Sequence, residues 1–115
     1  IDDVIEALSR CCYKPATYDP NFDCLNPNPS TSFAPHRIFN VGNNNPVHLM
    51  KFIELLEKNL GVKAKKVFEP MQAGDVVATH ANVDNLINDF NFNPSTPLQS
   101  GVDKFIQWYK TYYKI

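Results

Sequence analysis

Proline sets the tightest limit on what this chain can fold into. Of its nine prolines, five (15, 20, 27, 29 and 35) fall within residues 14–36. A proline fixes its own φ, lacks the N–H that a helix or inner strand needs, and pushes the residue before it out of the helical region. No regular element can run through "KPATYDPNFDCLNPNPSTSFAPH", and the two Asn-Pro steps add turn chemistry. An unstructured stretch of this length is uncommon inside a domain and often has a task. With thin apolar content and few expected backbone hydrogen bonds, it reads as the most mobile part of the chain.

Regular structure must lie on either side. In "IDDVIEALSRCCY" the carboxylates of Asp2 and Asp3 favour a helix N-terminus, and Val4, Ile5, Leu8 and Cys12 share one face. A helix over about 3–13 follows, ended by Lys14-Pro15. A chain that opens inside an element reads as a fragment. Beyond the loop, "RIFNV" (37–41) has strand composition and is closed by Gly42. Asn45 is a good N-cap with Pro46 first in the helix. Leu49, Phe52, Ile53, Leu56 and Leu60 then recur at helical spacing, and Gly61 supplies a left-handed stop. "AKKVFEP" (64–70) reads as a second strand, which makes 37–70 a right-handed β-α-β crossover. Asn82 can cap a short helix to about Phe90.

The clearest helix is in "STPLQSGVDKFIQWYKTYY". Thr96 is its cap, Pro97 its first residue and Gln99 the partner in a capping box. Leu98, Val102, Phe105, Ile106, Tyr109, Tyr112 and Tyr113 form its apolar face. A glycine inside a helix costs about 1 kcal/mol relative to alanine, so Gly101 suggests a close packing contact.

Composition removes several functions. The length suits one domain with a core, and 43% apolar content argues against disorder. A net charge of −1 with no basic stripe gives no reason for a nucleic-acid partner, and no apolar run approaches the roughly 18 residues of a membrane span. Cys11, Cys12 and Cys24 form no CxxC pair, and His36, His48 and His80 are scattered, which argues for reduced thiols in a cytosolic protein rather than zinc. No P-loop, GxGxxG, GxSxG or HExxH occurs. The Tyr and Lys of the last helix suit packing and solvation, and His80, amid small apolar residues, suits a structural role. His36 and Arg37 end the long loop, where a basic group can meet an anion or simply face water.

Asp75, in "FEPMQAGDVVATHANV", has a glycine before it that frees the backbone. It reads either as a turn-forming aspartate or as a carboxylate offering acceptors to vicinal hydroxyls of a ribose or sugar. Both fit the residues alone.

Four blocks in order resemble the C-terminal portion of extended short-chain dehydrogenase/reductase enzymes acting on nucleotide sugars, most of all UDP-glucuronate 4-epimerases of the capsular-polysaccharide type. "IDDVIEAL" is similar to the family's V-D-D helix start. "APHRIFNVGNNNPVHLMKFIELLEKNLG" is similar to its strand, N-x-G-N turn and helix. "PMQAGDVVATHANVDNL" matches the run P-x-Q-x-G-D-V-x-x-T-x-A-D, with Asn82 where the family usually has Asp. "FNFNPSTPLQSGVDKFIQWYKTYY" is similar to the terminal block. The series covers essentially the whole chain and is far more specific than any one block.

The resemblance implies an α/β fold: the C-terminal fragment of an extended Rossmann-type enzyme, with an edge helix and strand of the NAD-binding domain in 1–45 and a small substrate-binding domain in 46–115. It implies that Asp75 approaches the ribose of a UDP-sugar. Gln72 takes the place of an arginine that UDP-galactose 4-epimerases direct at the phosphates, a neutral donor without charge. In the intact parent, a cytoplasmic protein and homodimer, bound NAD would oxidise the sugar C4, the keto sugar would rotate, and hydride would return to the opposite face. The Gly-rich loop, Ser/Thr and Tyr-x-x-x-Lys pair for this lie upstream, so this chain alone is expected to bind no NAD and catalyse nothing. A UDP-glucuronate decarboxylase or nucleotide-sugar 4,6-dehydratase of the same fold is the nearest rival, and a stand-alone, non-catalytic binding module is the rival of another class.

Overall fold

Asp2 and Asp3 open helix α1 (Asp2–Tyr13), as their favourable meeting with a helix N-terminus leads one to expect. Lys14 ends it, its N–H turning back to the carbonyls of Arg10 and Cys11 just before Pro15. The computed structural model describes all 115 residues. Its regular structure is α1, α2 (Leu49–Leu60), α3 (Asp84–Phe90) and α4 (Leu98–Tyr113). These fall into two compact units, each made of two separated stretches of chain: Ile1–Asn44 with His80–Ser95, and Asn45–Thr79 with Thr96–Ile115.

In the first unit α1 packs on α3. Ala7, Val83 and Leu86 are its buried core, ringed by Phe39, Ala81, Ile87, Phe90 and Phe92. Phe39 meets Phe90 edge-on at 5.0 Å between ring centres, the arrangement that ring quadrupoles favour. Two cations from the end of α1 serve the open end of α3: Arg10 donates to the carbonyls of Phe90 (2.9 Å) and Asn91 (3.3 Å), and Lys14 to that of Asp89 (2.6 Å). Those carbonyls lie where a helix leaves acceptors unpaired and its dipole is negative. At α3 the boundary residue is Val83, one place after the expected Asn82, although Asn82 Oδ1 still accepts from the Asp84 N–H at 2.8 Å.

The apolar face of α1 turns outward instead of forming the core. Ile5 and Leu8 are each 56% exposed, and Ala7 is the buried residue. Seven-residue α3 covers one side of α1 only, and it takes the small Ala7 with Arg10 beside it.

The proline-rich loop is better tied than its composition suggests. Asp19, Asp23 and Asn28 each accept, through a side-chain oxygen, the N–H two residues on, and Ser32 Oγ accepts that of Ala34. These Asx and Ser turns replace the pairing that proline denies. Asp19 N–H also reaches the Ser32 carbonyl at 2.8 Å, and Ile38 N–H that of Ser30 at 3.1 Å, so the loop doubles back on itself. The premise that few hydrogen bonds hold it is therefore wrong.

Neither expected strand forms. Arg37 makes a single antiparallel bridge with Thr31, and 64–70 has no backbone pairing. A strand is held by its neighbour's ladder, and β-rich composition alone supplies none. The β-α-β crossover over 37–70 is absent, so the chain itself is helical and does not display the α/β sheet.

In the second unit α2 packs on α4, whose Val102 and Ile106 are buried. Lys110 Nζ donates to the Asn59 carbonyl at 3.2 Å, serving the open end of α2. Gly61 closes α2 at φ 73, in the left-handed region, as expected. The start moves: His48 caps α2, its Nδ1 accepting from the Met50 N–H at 3.2 Å, and Asn45-Pro46 stay outside. At α4 the boundary residue is Pro97, one place after Thr96, and the Gln99 amide donates to Asp103. Beyond its chain neighbours and the backbone of its own helix, a Cβ on Gly101 would meet no atom within 4 Å, so the packing contact expected there is missing. No helix is long and apolar enough to cross a membrane.

Candidate functional site

From Val62 to Thr79 the chain has no helix or strand and every residue is exposed. Whatever this stretch presents must be held by side chains. Glu57 begins that work from the last turn of α2. It sits four residues after Ile53 and three before Leu60, on the same apolar stripe, and is 6% exposed. A carboxylate in such a place is tolerable only if paired. Three donors reach it: Lys66 Nζ at 2.5 Å, the Ala64 N–H at 2.9 Å and Lys63 Nζ at 3.1 Å. Lys66 first, then the Ala64 amide and Lys63, hold its carboxyl down at about 2, against an ordinary 4.5. The Lys66 side chain is largely covered whereas that of Lys63 is 87% exposed, which makes Lys66 the stronger partner. Residues 63–66 are thereby strapped to α2. Beside the strap is an apolar groove of about 610 Å³, lined by Ile53, Leu56, Leu60, Val67 and Phe68 among others.

Six residues beyond Lys66 the chain reverses. The Asp75 N–H donates to the Gln72 carbonyl at 3.2 Å, and Gly74 takes φ 89. A positive φ at the third position is the mark of a type II turn and explains the glycine. Gln72 and Asp75 are thus the first and fourth residues of one turn, both exposed. The Val76 N–H donates to Asp75 Oδ1 at 2.9 Å, which steadies the carboxylate. A carboxylate has about four lone-pair sites, so acceptors remain for a ligand.

The other sequence candidates go elsewhere. Arg37 finds its anion within the chain: Nη2 meets Asp89 Oδ2 at 2.5 Å, and the guanidinium lies 5.1 Å from the Phe39 ring centre. It lines a groove of about 480 Å³ in the first unit with Lys14, Tyr18, Thr31 and Asp89. His36 is exposed, and so is His80, contrary to the packed role expected of it. No three His, Cys, Asp or Glu side chains gather as a metal site would need, and the three cysteines are free.

No family model matches the chain. Protein CapI of Staphylococcus aureus is 46% identical over 114 residues, or 99% of this chain and 34% of that protein. UDP-glucuronate 4-epimerase 1 of Arabidopsis thaliana is 48% identical over 81 residues, 70% of this chain and 19% of that protein. A probable UDP-glucuronate 4-epimerase of Rhizobium meliloti is 36% identical over 118 residues, again 99% of this chain and 34% of that protein. The chain is a relative of the UDP-glucuronate 4-epimerases. It spans about a third of the length of CapI and of the Rhizobium protein.

The four glycines of the chain build no phosphate-cradling loop. Gly61 ends a helix, Gly74 makes the turn before Asp75, Gly101 lies inside α4, and Gly42 abuts Ala81. None stands where a strand hands over to a helix, and Asp2 and Asp3 set negative charge at the start of α1, against a phosphate. No redox step is assigned to these residues. Sequence reading overlooked Glu57. Its signal was an acid on the stripe of Ile53, Leu56 and Leu60, followed at once by Lys63, Lys65 and Lys66.

Proposed function

We propose that this chain is the UDP-sugar-binding portion of an NAD-dependent nucleotide-sugar epimerase acting on UDP-glucuronate, taken from the C-terminal part of a short-chain dehydrogenase/reductase. Residues 1–45 belong to the edge of its NAD-binding domain and 46–115 to its substrate-binding domain. The parent is a cytoplasmic homodimer that holds NAD through residues outside this chain, and the hydride chemistry is theirs. Asp75 accepts hydrogen bonds from the ribose hydroxyls of UDP, and Gln72 donates to a neighbouring oxygen. The observation that carries this reading is the exposed Gln72–Asp75 turn, in a chain related along 99% of its length to a protein named as a probable UDP-glucuronate 4-epimerase. The turn leaves the carboxylate open on one side and steadied on the other, as a hydroxyl contact requires.

The test is Asp75→Asn in the full-length protein. The amide keeps the shape, loses the charge and turns one acceptor into a donor. Hydrogen bonds to a charged group are worth about 1.5–3 kcal/mol, so affinity for UDP itself falls roughly tenfold to a hundredfold. Thermal stability stays nearly constant, because asparagine retains most turn hydrogen bonding. Unchanged UDP binding with a clearly lowered melting temperature would make Asp75 a turn residue and nothing more.

A further inference from the structure

We infer that Glu57 is a positioning residue for the Gln72–Asp75 turn, an inference that rests on the nucleotide-contact reading of Asp75. Between Gly61 and Gln72 no backbone–backbone hydrogen bond ties the chain down. What holds it are the contacts of Ala64, Lys63 and Lys66 with the Glu57 carboxylate. The anchor is itself fixed, since α2 packs on α4 and Lys110 reaches the Asn59 carbonyl.

Leucine at 57 would continue the apolar stripe without the desolvation that a carboxylate incurs, and buried ion pairs are weak devices for stability alone. A carboxylate supplies something leucine lacks: directed bonds to a main-chain amide and two side chains of the departing segment. The turn begins six residues beyond Lys66, and 63–66 is the last place before Gln72 at which directed bonds tie the chain to α2. Val67 and Phe68 line the groove beside this strap but are 73% and 79% exposed, and no directed bond holds them.

The experiment compares Glu57→Ala, Glu57→Gln, Lys66→Met and Asp75→Asn in the full-length protein, titrated with UDP and separately with NAD well below every melting midpoint. A loosened turn that is competent about a tenth of the time weakens UDP about tenfold. Glu57→Ala is expected to show that loss with NAD affinity unchanged, and hydrogen exchange at the Ala64 amide should accelerate. Lys66→Met should lose about threefold, and combining it with Glu57→Ala should add little, because both act through one strap. If Glu57→Ala does not fold, Glu57→Gln, which can still accept from the Ala64 amide, carries the comparison with an expected loss of about threefold. A merely structural role would lower the melting temperature while leaving UDP affinity intact, or weaken both ligands together, and either result overturns the inference. If Asp75→Asn weakens UDP but the Glu57 and Lys66 variants do not, positioning fails and the functional reading stands. If Asp75→Asn leaves UDP binding intact, the functional reading fails and takes this inference with it.

Discussion

Replacing Gly101 with alanine is expected to stabilise the protein, the reverse of what a glycine at a packing contact would do. Gly101 is the fourth residue of α4 (Leu98–Tyr113), and its N–H donates to the Pro97 carbonyl at 3.2 Å, so its backbone is already helical. Beyond its chain neighbours and the backbone of its own helix, a methyl group there meets no atom within 4 Å. Nothing has to move, and alanine recovers the backbone entropy that glycine loses on entering a helix, up to about 1 kcal/mol. The position lies close to the helix start, where fraying takes a share, which leaves about 0.5–1 kcal/mol. For a small domain about 1 kcal/mol shifts the melting midpoint by roughly 4–8 °C, so the expected rise is about 2–8 °C, read as the loss of far-ultraviolet circular dichroism on heating. Gly42 is the control of opposite sign. A Cβ there would stand 3.0 Å from the Ala81 Cβ, a methyl with no flexible end to swing away. Gly42→Ala should therefore destabilise, by about 1–3 kcal/mol if the neighbours cannot yield. A Gly101→Ala variant that melts below the parent would refute the reasoning, because the open space at that position could not then be real.

Two further expectations concern the second unit and the long loop. Glu57, with its carboxyl lowered to about 2 from 4.5, contributes stability that is complete above about pH 4.5 and disappears as pH falls through about 2. Urea midpoints of the parent and of Glu57→Gln, which lacks this titration, should converge over that window as Lys66 and Lys63 lose their partner; a constant gap from pH 5 to pH 2 would contradict the strap. Limited proteolysis should cut within 67–79 before 19–32, since the first stretch has one backbone–backbone hydrogen bond, Asp75 to Gln72, while the second is tied by several turns. Earlier cleavage at the proline-rich loop would restore the view of that loop as the loosest part of the chain.

The helices are legible where a local device marks them: the acidic pair in the first turn of α1 and Gly61 after α2. Each acts within one turn of the residues it serves, so sequence suffices. The helix starts fall one to three residues after the expected caps, with His48 at the boundary in place of Asn45, Val83 in place of Asn82 and Pro97 in place of Thr96. The strands were illegible in another way. "RIFNV" and "AKKVFEP" report a fit to a pleated, half-buried surface, and no neighbouring ladder exists here to use it. In the loop, the acceptors that rescue the backbone, Asp19, Asp23, Asn28 and Ser32, were visible as residue types, but five prolines outweighed them. At the site, Gly74 announced the turn around Asp75, whereas the nucleotide role of Asp75 came only through resemblance. Glu57 went unnoticed because a lone acid on an apolar stripe resembles noise until its lysines are found in space.

The order in which the chain is made has a consequence for how it can fold. Both units are closed by their last-made segment, and the Arg10–Phe90 hydrogen bond joins residues 80 apart in sequence. At ribosomal speeds of about 5–20 residues per second, α1 would emerge roughly 4–16 s before the end of α3 that it serves. Closing so wide a gap costs little extra equilibrium free energy, because loop entropy grows only with the logarithm of length, but it slows the search. Until residues 83–86 appear, Ala7 and Phe39 have no core to join, and until residues 102–106 appear, α2 has no α4. Within this chain Ile5 and Leu8 remain 56% exposed even after both units have closed. A chain stopped before about residue 80 would therefore have formed neither of these two cores.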